Sequence, residues 1–334
     1  MDKYITVILT AYNRKQFLGD ALNSVLRQTI PKELVQIIVI KNFIDEDLDK
    51  LIKENGGESI IIDECPVGMM LKEALERSKG KVVSFLDDDD LFTPNKLEVI
   101  LSHFKTIPDL IYFHNSQIKF SKTSEIPTML NASKINRHIR PMIFSTGKNF
   151  SKRLTKLAPI NEWRKFFFNL SSISIRKEYY AQFLNSLGKI TSHTDDFFFF
   201  NGLNNNSPFK MIFSLENLTL YRIHNSTTQI NNNSTNFKKI SILEDFISST
   251  VEVSRNIRNK ELATILEYRL LSEMFERAKY NGDYKAYIEK FSSYKNGIRF
   301  LISIFKIVTL PSFLFILRKY IHSQYLMILN KFKF

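Results

Sequence analysis

Four aspartates in a row, Asp87-Asp88-Asp89-Asp90, follow the apolar run Val82–Leu86 and precede Leu91-Phe92-Thr93-Pro94. Like charges repel, so a chain gains by holding these carboxylates side by side only where something positive meets them. Carboxylate oxygens are natural ligands of hard cations such as magnesium or manganese. Magnesium takes one or two protein carboxylates and completes its shell with substrate phosphates, which suits a metal–diphosphate complex. A solvated acidic loop is the plainer alternative. The flanks weigh against it, because an apolar strand before the acids and a helix started by Pro94 after them fix the cluster between regular elements.

The same punctuation recurs upstream. Ile5–Thr10 reads as a strand, and Phe17, Leu18, Ala21, Leu22, Val25 and Leu26 fall at helical spacing until Pro31. Val35–Ile40 is a second strand, Ile60–Ile62 a third, Val82–Leu86 a fourth and Leu110–Phe113 a fifth, with a helix over Met69–Ser78 stopped by Gly80. Near-continuous apolar strands alternating with helices predict an α/β fold whose mostly parallel sheet is covered on both faces. In such sheets ligands bind beyond the carboxyl ends of the strands. Tyr12-Asn13-Arg14 and Asp87–Asp90 both lie at such ends. Further on, Ser121–Trp163 is polar and without clear period, whereas Ser171–Ile175 and Leu218–Ile223 read as strands. Asn225–Asn236, almost all Asn, Ser and Thr, is expected to be a mobile loop. From Ile240 the chain reads as a helical extension, with a long helix over Lys260–Lys279.

Composition narrows the class. A chain of 334 residues with 44% apolar content is neither disordered nor many-spanning in a membrane. Its one cysteine, Cys65, rules out an internal disulfide and points to a reducing compartment. The N-terminus has no apolar signal-peptide core, so none is expected. Lysine and arginine outnumber acids by 47 to 34. The acids stop at Glu289, while Lys290, Lys295, Arg299, Lys306, Arg318, Lys319, Lys331 and Lys333 follow. Within that tail, Phe300–Leu317 is mostly apolar, with Ser303, Lys306, Thr309 and Ser312 recurring on one side of a helix. Lys306 and Pro311 argue against a membrane span, and an amphipathic helix lying on an anionic membrane surface fits better. A helix packed on its own domain is the alternative. Nucleic acid is not expected as a partner, because the interleaved residues are as often aliphatic as aromatic.

Residues Val7–Arg14 resemble the opening strand and nucleotide-binding turn of family 2 glycosyltransferases. Gly68, Ala74, Gly80 and Leu86–Asp90 resemble the same family's helix, strand and Asp-X-Asp motif. The resemblance is dense over residues 4–104 and returns near 171–200 and 218–228. It implies the GT-A fold, a Rossmann-like nucleotide half at residues 1–115 and an acceptor half at 116–239, leaving 240–334 as a helical C-terminal region.

The roles that follow from the resemblance are these. Asp89, Asp87 and His224 are the expected ligands of a divalent metal, Mn2+ or Mg2+, with Asp89 the principal one and Asp87 also nearer the ribose. Asp88 and Asp90 support them. Thr10, Tyr12 and Arg14 form the nucleotide-binding turn, where the Tyr12 ring can stack on a base. Arg222, in Tyr221-Arg222-Ile223-His224, is expected to face the diphosphate. The family's acidic pair after the second strand is replaced here by Lys41 and Asn42. Asn42 still offers a donor and an acceptor to a base edge, and Lys41 either attracts extra negative charge or is solvated. In Thr194-Asp195-Asp196-Phe197, Asp196 is expected to be the catalytic base, with Asp195 its neighbour, since an inverting transferase needs one carboxylate to take the acceptor's proton. Thr194 or Asp195 also suits a helix cap. His193 is a weaker candidate.

The expected activity is transfer of a sugar from a UDP- or GDP-sugar to a glycan or lipid-linked hydroxyl, in the cytoplasm, peripherally on the inner face of the cell membrane. Two rivals are a nucleotidyltransferase and a non-catalytic nucleotide-sugar-binding protein. Thr10–Arg14 lacks the glycines of the former's phosphate loop, and Asp195-Asp196 argues against the latter.

Overall fold

The computed structural model describes residues 3–121, 125–126, 141–147, 149–157, 160–205, 207–224, 234–283, 285–287 and 290. The expected tail helix at Phe300–Leu317 and most of the Asn/Ser/Thr segment, 225–233, lie outside them. Among the described residues no helix is long and apolar enough to cross a membrane.

Strand β1 (Ile5–Ala11) is buried along its whole length, as an apolar run without alternation requires. It pairs in parallel with β2 (Val35–Lys41) on one side and β4 (Val82–Asp87) on the other, while β3 (Glu58–Ile61) extends the sheet beyond β2. Helices α1 (Leu18–Leu26), α2 (Glu46–Glu54) and α3 (Val67–Arg77) make the crossovers. The apolar face of α1, formed by Leu18, Ala21, Leu22 and Val25, is buried as its spacing predicts. Asp45 caps α2 by accepting from the Leu48 N–H at 3.2 Å.

Past β4 come β5 (Leu91–Phe92), α4 (Lys96–Thr106), β6 (Leu110–Phe120), β7 (Met142–Ser145), β8 (Ile173–Arg176) and β9 (Lys210–Arg222). The sheet order is β3-β2-β1-β4-β8-β6-β9-β5, with β7 also on β9. It is mixed beyond β4: β8 runs antiparallel to both β4 and β6, β6 and β9 are parallel, and β5 and β7 are antiparallel to β9. Two strands exceed their expected lengths, since β6 continues past Phe113 to Phe120 and β9 begins at Lys210 rather than Leu218. The polar stretch His114-Asn115-Ser116-Gln117 masks β6 in the sequence, yet it keeps its ladder to β9 through register shifts at Asn115/Ser116 and Ser116/Gln117.

The chain divides into two compact units. The first comprises Met1–Thr146, Phe166–Gly202 and Ser207–Asn225 and holds every described strand of the sheet. The second includes the helices Phe150–Leu157, Asn236–Arg255 and Lys260–Asn281. Asn236, expected in the mobile loop, instead opens a helix capped by Thr235, whose hydroxyl accepts from the Lys238 N–H at 3.3 Å. The long helix expected at Lys260 is capped by the Asn259 side chain and ends at Gly282 in a left-handed conformation.

Gly68 and Gly80 let backbones touch. A Cβ on Gly68 would lie 1.9 Å from the Leu187 carbonyl oxygen, and one on Gly80 would lie 2.5 Å from the Thr6 nitrogen. Gly19 in α1 has open space around it. Gly68→Ala is therefore expected to lower stability by about 1–3 kcal/mol through overpacking. Gly19→Ala is expected to be neutral or to stabilise by up to about 1 kcal/mol. Urea unfolding midpoints of the two variants check this pair; equal midpoints would contradict the close approach at Gly68.

Candidate active site

Each acid of the run meets a different partner. Asp87, at the end of β4, accepts from the Thr10 hydroxyl at 3.0 Å, and its N–H donates to the Ser171 hydroxyl at 2.9 Å. Burial, and then the charges of Asp89, Asp90 and Asp88, push its carboxyl well above the ordinary range, with Thr10 pulling the other way. Asp88 faces the Arg14 guanidinium, which donates from Nε at 2.7 Å and again through a second nitrogen. Burial raises the Asp88 carboxyl and Arg14 holds it down. Asp90 is 1% exposed and accepts from the Arg222 N–H at 3.0 Å and the Asn169 amide at 2.8 Å. Burial and the charge of Asp89 lift it to about 7.

Asp89 is the acid with a cation and an imidazole on one oxygen. Its Oδ2 lies 2.8 Å from Arg14 Nη2 and 2.6 Å from His224 Nε2. Arg14 Nη1 is 3.0 Å from the same Nε2. One ring nitrogen cannot donate to the carboxylate and accept from the guanidinium at once, so the tautomer decides between them. Burial disfavours charge on Arg14, but the Asp88 hydrogen bond and the charges of Asp89, Asp88 and Asp87 outweigh it and hold the guanidinium above its ordinary pKa.

Asp89 Oδ2 and His224 Nε2 are donor types that divalent cations take, and Arg14 contacts both, so an ion bound there would have to displace the guanidinium. One carboxylate oxygen and one imidazole nitrogen, side by side, suit manganese, and a site of this kind takes further ligands from substrate phosphates. The Asp87 carboxylate turns to Thr10 instead of joining them. Among the described residues, the trio of metal-ligating types whose ligand atoms lie within 4.8 Å of one another is His193, Asp195 and Asp196.

That trio opens the Thr194–Leu203 helix. The helix begins at Thr194, so Asp195 and Asp196 occupy its first turn, where the helix dipole favours negative charge. His193, just before it, has φ 55°, and its Nδ1 lies 3.5 Å from Asp196 Oδ2. Asp196 is 4% exposed, and Phe197, Phe198, Phe199 and Phe200 behind it are buried.

Other expected site residues fall as follows. Tyr12 is 45% exposed just past β1. Asn13 turns the chain with φ 53°, and its N–H donates to Asn42 Oδ1 at 2.8 Å while the two side-chain amides also bond to each other. Lys41 is neither solvated nor free to attract further negative charge. It is buried, donates to the Phe43 carbonyl at 2.6 Å and pairs with Asp49 at 3.0 Å. Arg222 was expected to face the diphosphate, but it is 4% exposed and directed at protein. It lies over the Phe17 and Phe120 rings, and Nε donates to the Asp89 carbonyl at 2.9 Å while Nη2 reaches Asp20 at 3.2 Å.

Two residues beneath the acids escaped sequence reasoning. Lys96 is wholly buried over the Phe92 ring; it donates to the Ser171 carbonyl and, at 2.9 Å, to the Thr219 hydroxyl. Burial drives its pKa well below the usual lysine range, only partly offset by Asp90. Asn169, with φ 75°, bonds to Asp90 through its side chain and to Asp195 through its backbone N–H at 3.3 Å. Lys96 reads as one more helix-surface lysine, and the only local signal at Asn169 is that asparagine tolerates a left-handed backbone.

A protein-family model described as glycosyl transferase family 2 matches residues 6–172 of the 334. An uncharacterized glycosyltransferase of Rickettsia bellii (strain RML369-C) is 31% identical over 150 residues, 43% of this chain and 21% of that protein. The chain thus spans about a fifth of that relative's length. In fold it resembles S. aureus TarS 1-349 in complex with UDP-GlcNAc, with a TM-score of 0.54 at 13% identity over 83% of this chain and 73% of that one. It also resembles the mannosyltransferase PcManGT from Pyrobaculum calidifontis in complex with GDP-Man and Mn2+, with a TM-score of 0.53 at 11% identity over 100% of this chain and 87% of that one. With Thr10, Arg14 and the acid run gathered at the carboxyl ends of β1 and β4 in a GT-A sheet, the chain belongs to glycosyl transferase family 2.

Proposed function

We propose that this chain is an inverting glycosyltransferase that takes a UDP- or GDP-sugar as donor and a hydroxyl of a glycan or lipid-linked molecule as acceptor. The observation that carries the reading is the Asp89–His224–Arg14 contact at the carboxyl end of the sheet, with the Asp196 carboxylate on a separate, buried helix start. The fold neighbours named above, bound to UDP-GlcNAc and to GDP-Man with Mn2+, support the donor class.

In this reading Tyr12 stacks on the base, and the Asn13–Asn42 pair offers it amide donors and acceptors. Thr10 orients Asp87 toward the ribose. Asp89 and His224 hold a divalent cation, which when bound neutralises the diphosphate that leaves. Arg222 is buried against protein, whereas the Arg14 side chain is 28% exposed beside Asp89, so Arg14 is assigned to the phosphate, whose oxygens would take over from Asp88 and Asp89. Asp196 takes the proton as the acceptor oxygen attacks the anomeric carbon. The new carbon–oxygen bond forms on the face opposite the leaving group, and the bond to the diphosphate breaks with its electron pair going to the departing oxygen. Positioning supplies much of the rate. The basic, apolar tail, outside the described residues, would hold the enzyme on the inner membrane face beside a lipid-linked acceptor.

Calorimetry with UDP and GDP, with and without manganese, tests the metal. Manganese is expected to tighten binding at least tenfold, about 1.4 kcal/mol, and Asp89→Asn to erase that gain. Equal affinity with and without the ion would reject the assignment.

Asp196→Asn keeps the side chain's shape but cannot accept the proton. Transfer is expected to fall by about 10²–10⁴-fold with donor affinity nearly unchanged. A larger loss from Asp195→Asn would move the base to its neighbour. For the tail, vesicle flotation of the full chain and of a chain cut after Asn296 is informative. The full chain is expected to float with anionic vesicles, less so at high salt, and the shorter one to stay behind. A full chain that floats with neither anionic nor neutral vesicles would exclude the membrane-surface role.

A further inference from the structure

Both carboxylate arms of the site converge on one short turn. Asn169 lies there with φ 75°, a left-handed conformation that asparagine tolerates better than most residues. Its side chain is buried, and both ends of the amide are used. Nδ2 donates to Asp90 Oδ2 at 2.8 Å and to Gln117 Oε1 at 3.0 Å, and Oδ1 accepts from the Ser171 N–H at 3.0 Å. Its backbone N–H donates to Asp195 Oδ2 at 3.3 Å. Two residues on, the Ser171 hydroxyl accepts from the Asp87 N–H at 2.9 Å, and the Ser171 carbonyl accepts from Lys96 and, at 3.1 Å, from the Thr219 hydroxyl. The turn therefore holds the first and last acids of the run and the acid next to the base.

We propose that Asn169 is a positioning residue that locks the Asp87–Asp90 turn to the base-bearing segment at Asp195, so that donor and acceptor chemistry share one geometry. The roles of the two arms rest on the transferase reading above; the mechanical coupling between them does not. The residue type matters. A carboxylate here could not donate to Asp90, a serine would have too few polar atoms to reach both Asp90 and the Ser171 N–H, and a glutamine would be a methylene too long. Asp90, buried as it is, depends on its accepted hydrogen bonds to stay in place. Freed from Asp90, the turn also loses the anchor that aims its N–H at Asp195. A displacement of about 1 Å in a reacting group costs about 10²-fold in rate.

Asn169→Gly tests the coupling in the full chain. Glycine keeps the left-handed backbone and the N–H to Asp195 and removes only the amide. Hydrogen exchange read by mass spectrometry should speed about tenfold in peptides covering both 87–92 and 194–203, while β1 and β2 keep their protection. In steady-state turnover of a nucleotide sugar, kcat per folded molecule, with the folded fraction measured alongside, should fall about 100-fold with KM within about threefold, so that lost stability is not read as lost kcat. Unchanged exchange in either segment of the folded variant, or an unchanged kcat, overturns the proposal. Should the glycine variant not fold, Asn169→Leu, which is close to the native shape and has no polar atom to offer Asp90, carries the same expectation. A wild-type chain that turns over no nucleotide sugar would count against the transferase reading, and the exchange result would still decide the coupling.

Discussion

Charge repulsion within one turn governs how the molecule is put together. Two carboxylates about 5 Å apart at an effective dielectric near 20 repel by about 3 kcal/mol, and Asp87–Asp90 multiplies that several times over. No single neighbour relieves it. Arg14 from the end of β1 meets Asp88 and Asp89, and His224 from beyond β9 meets Asp89. The backbone N–H of Arg222 and the amide of Asn169 meet Asp90. A carboxyl lifted to about 7 also lets Asp90 carry a proton part of the time near neutrality, which removes one charge from the set. Relief arrives from three directions, so β1, β9 and the Asn169 turn must converge on the end of β4. That convergence is the site.

What could be read from the sequence was local. β1, α1, β2 and β4 announce themselves because each is a continuous apolar run or a clean helical period bounded by a turn. The acid run stands out because its flanks are regular. Asp196 and His224 could be named only through likeness to a family. What escaped depends on partners far along the chain. The buried ammonium of Lys96 bonds to Ser171 and Thr219, more than seventy residues away in each case, and nothing near Lys96 announces this. Arg222 looked like a phosphate ligand because its setting between two aromatic rings, Phe17 and Phe120, is assembled only by folding.

The pair Lys41 and Asp49, at the carboxyl end of β2, depends on folding in the same way. The resemblance leads to the expectation of an acid where this chain has Lys41. Folding turns the side chain inward, where Asp49, itself bonded to the Ser59 hydroxyl and held below its ordinary pKa, cancels its charge. The strand end therefore offers a ligand amides, from Asn13 and Asn42, and no net charge.

The antiparallel strand β8 sits between β4 and β6 and closes the middle of the sheet. During synthesis β4 emerges long before its neighbour, because Val82 pairs with Arg176. Until then the outer side of β4 is an open edge, able to pair with any other strand it meets. The region matched by the family model ends at residue 172, one residue short of β8. A fragment cut at that boundary would keep Thr10, Arg14 and the acid run and expose the β4 edge permanently. Long-range closure of this kind slows folding and favours aggregation over assembly. A fragment that closes the sheet therefore has to reach the end of β9 at Arg222, fifty residues past the end of the family-model match.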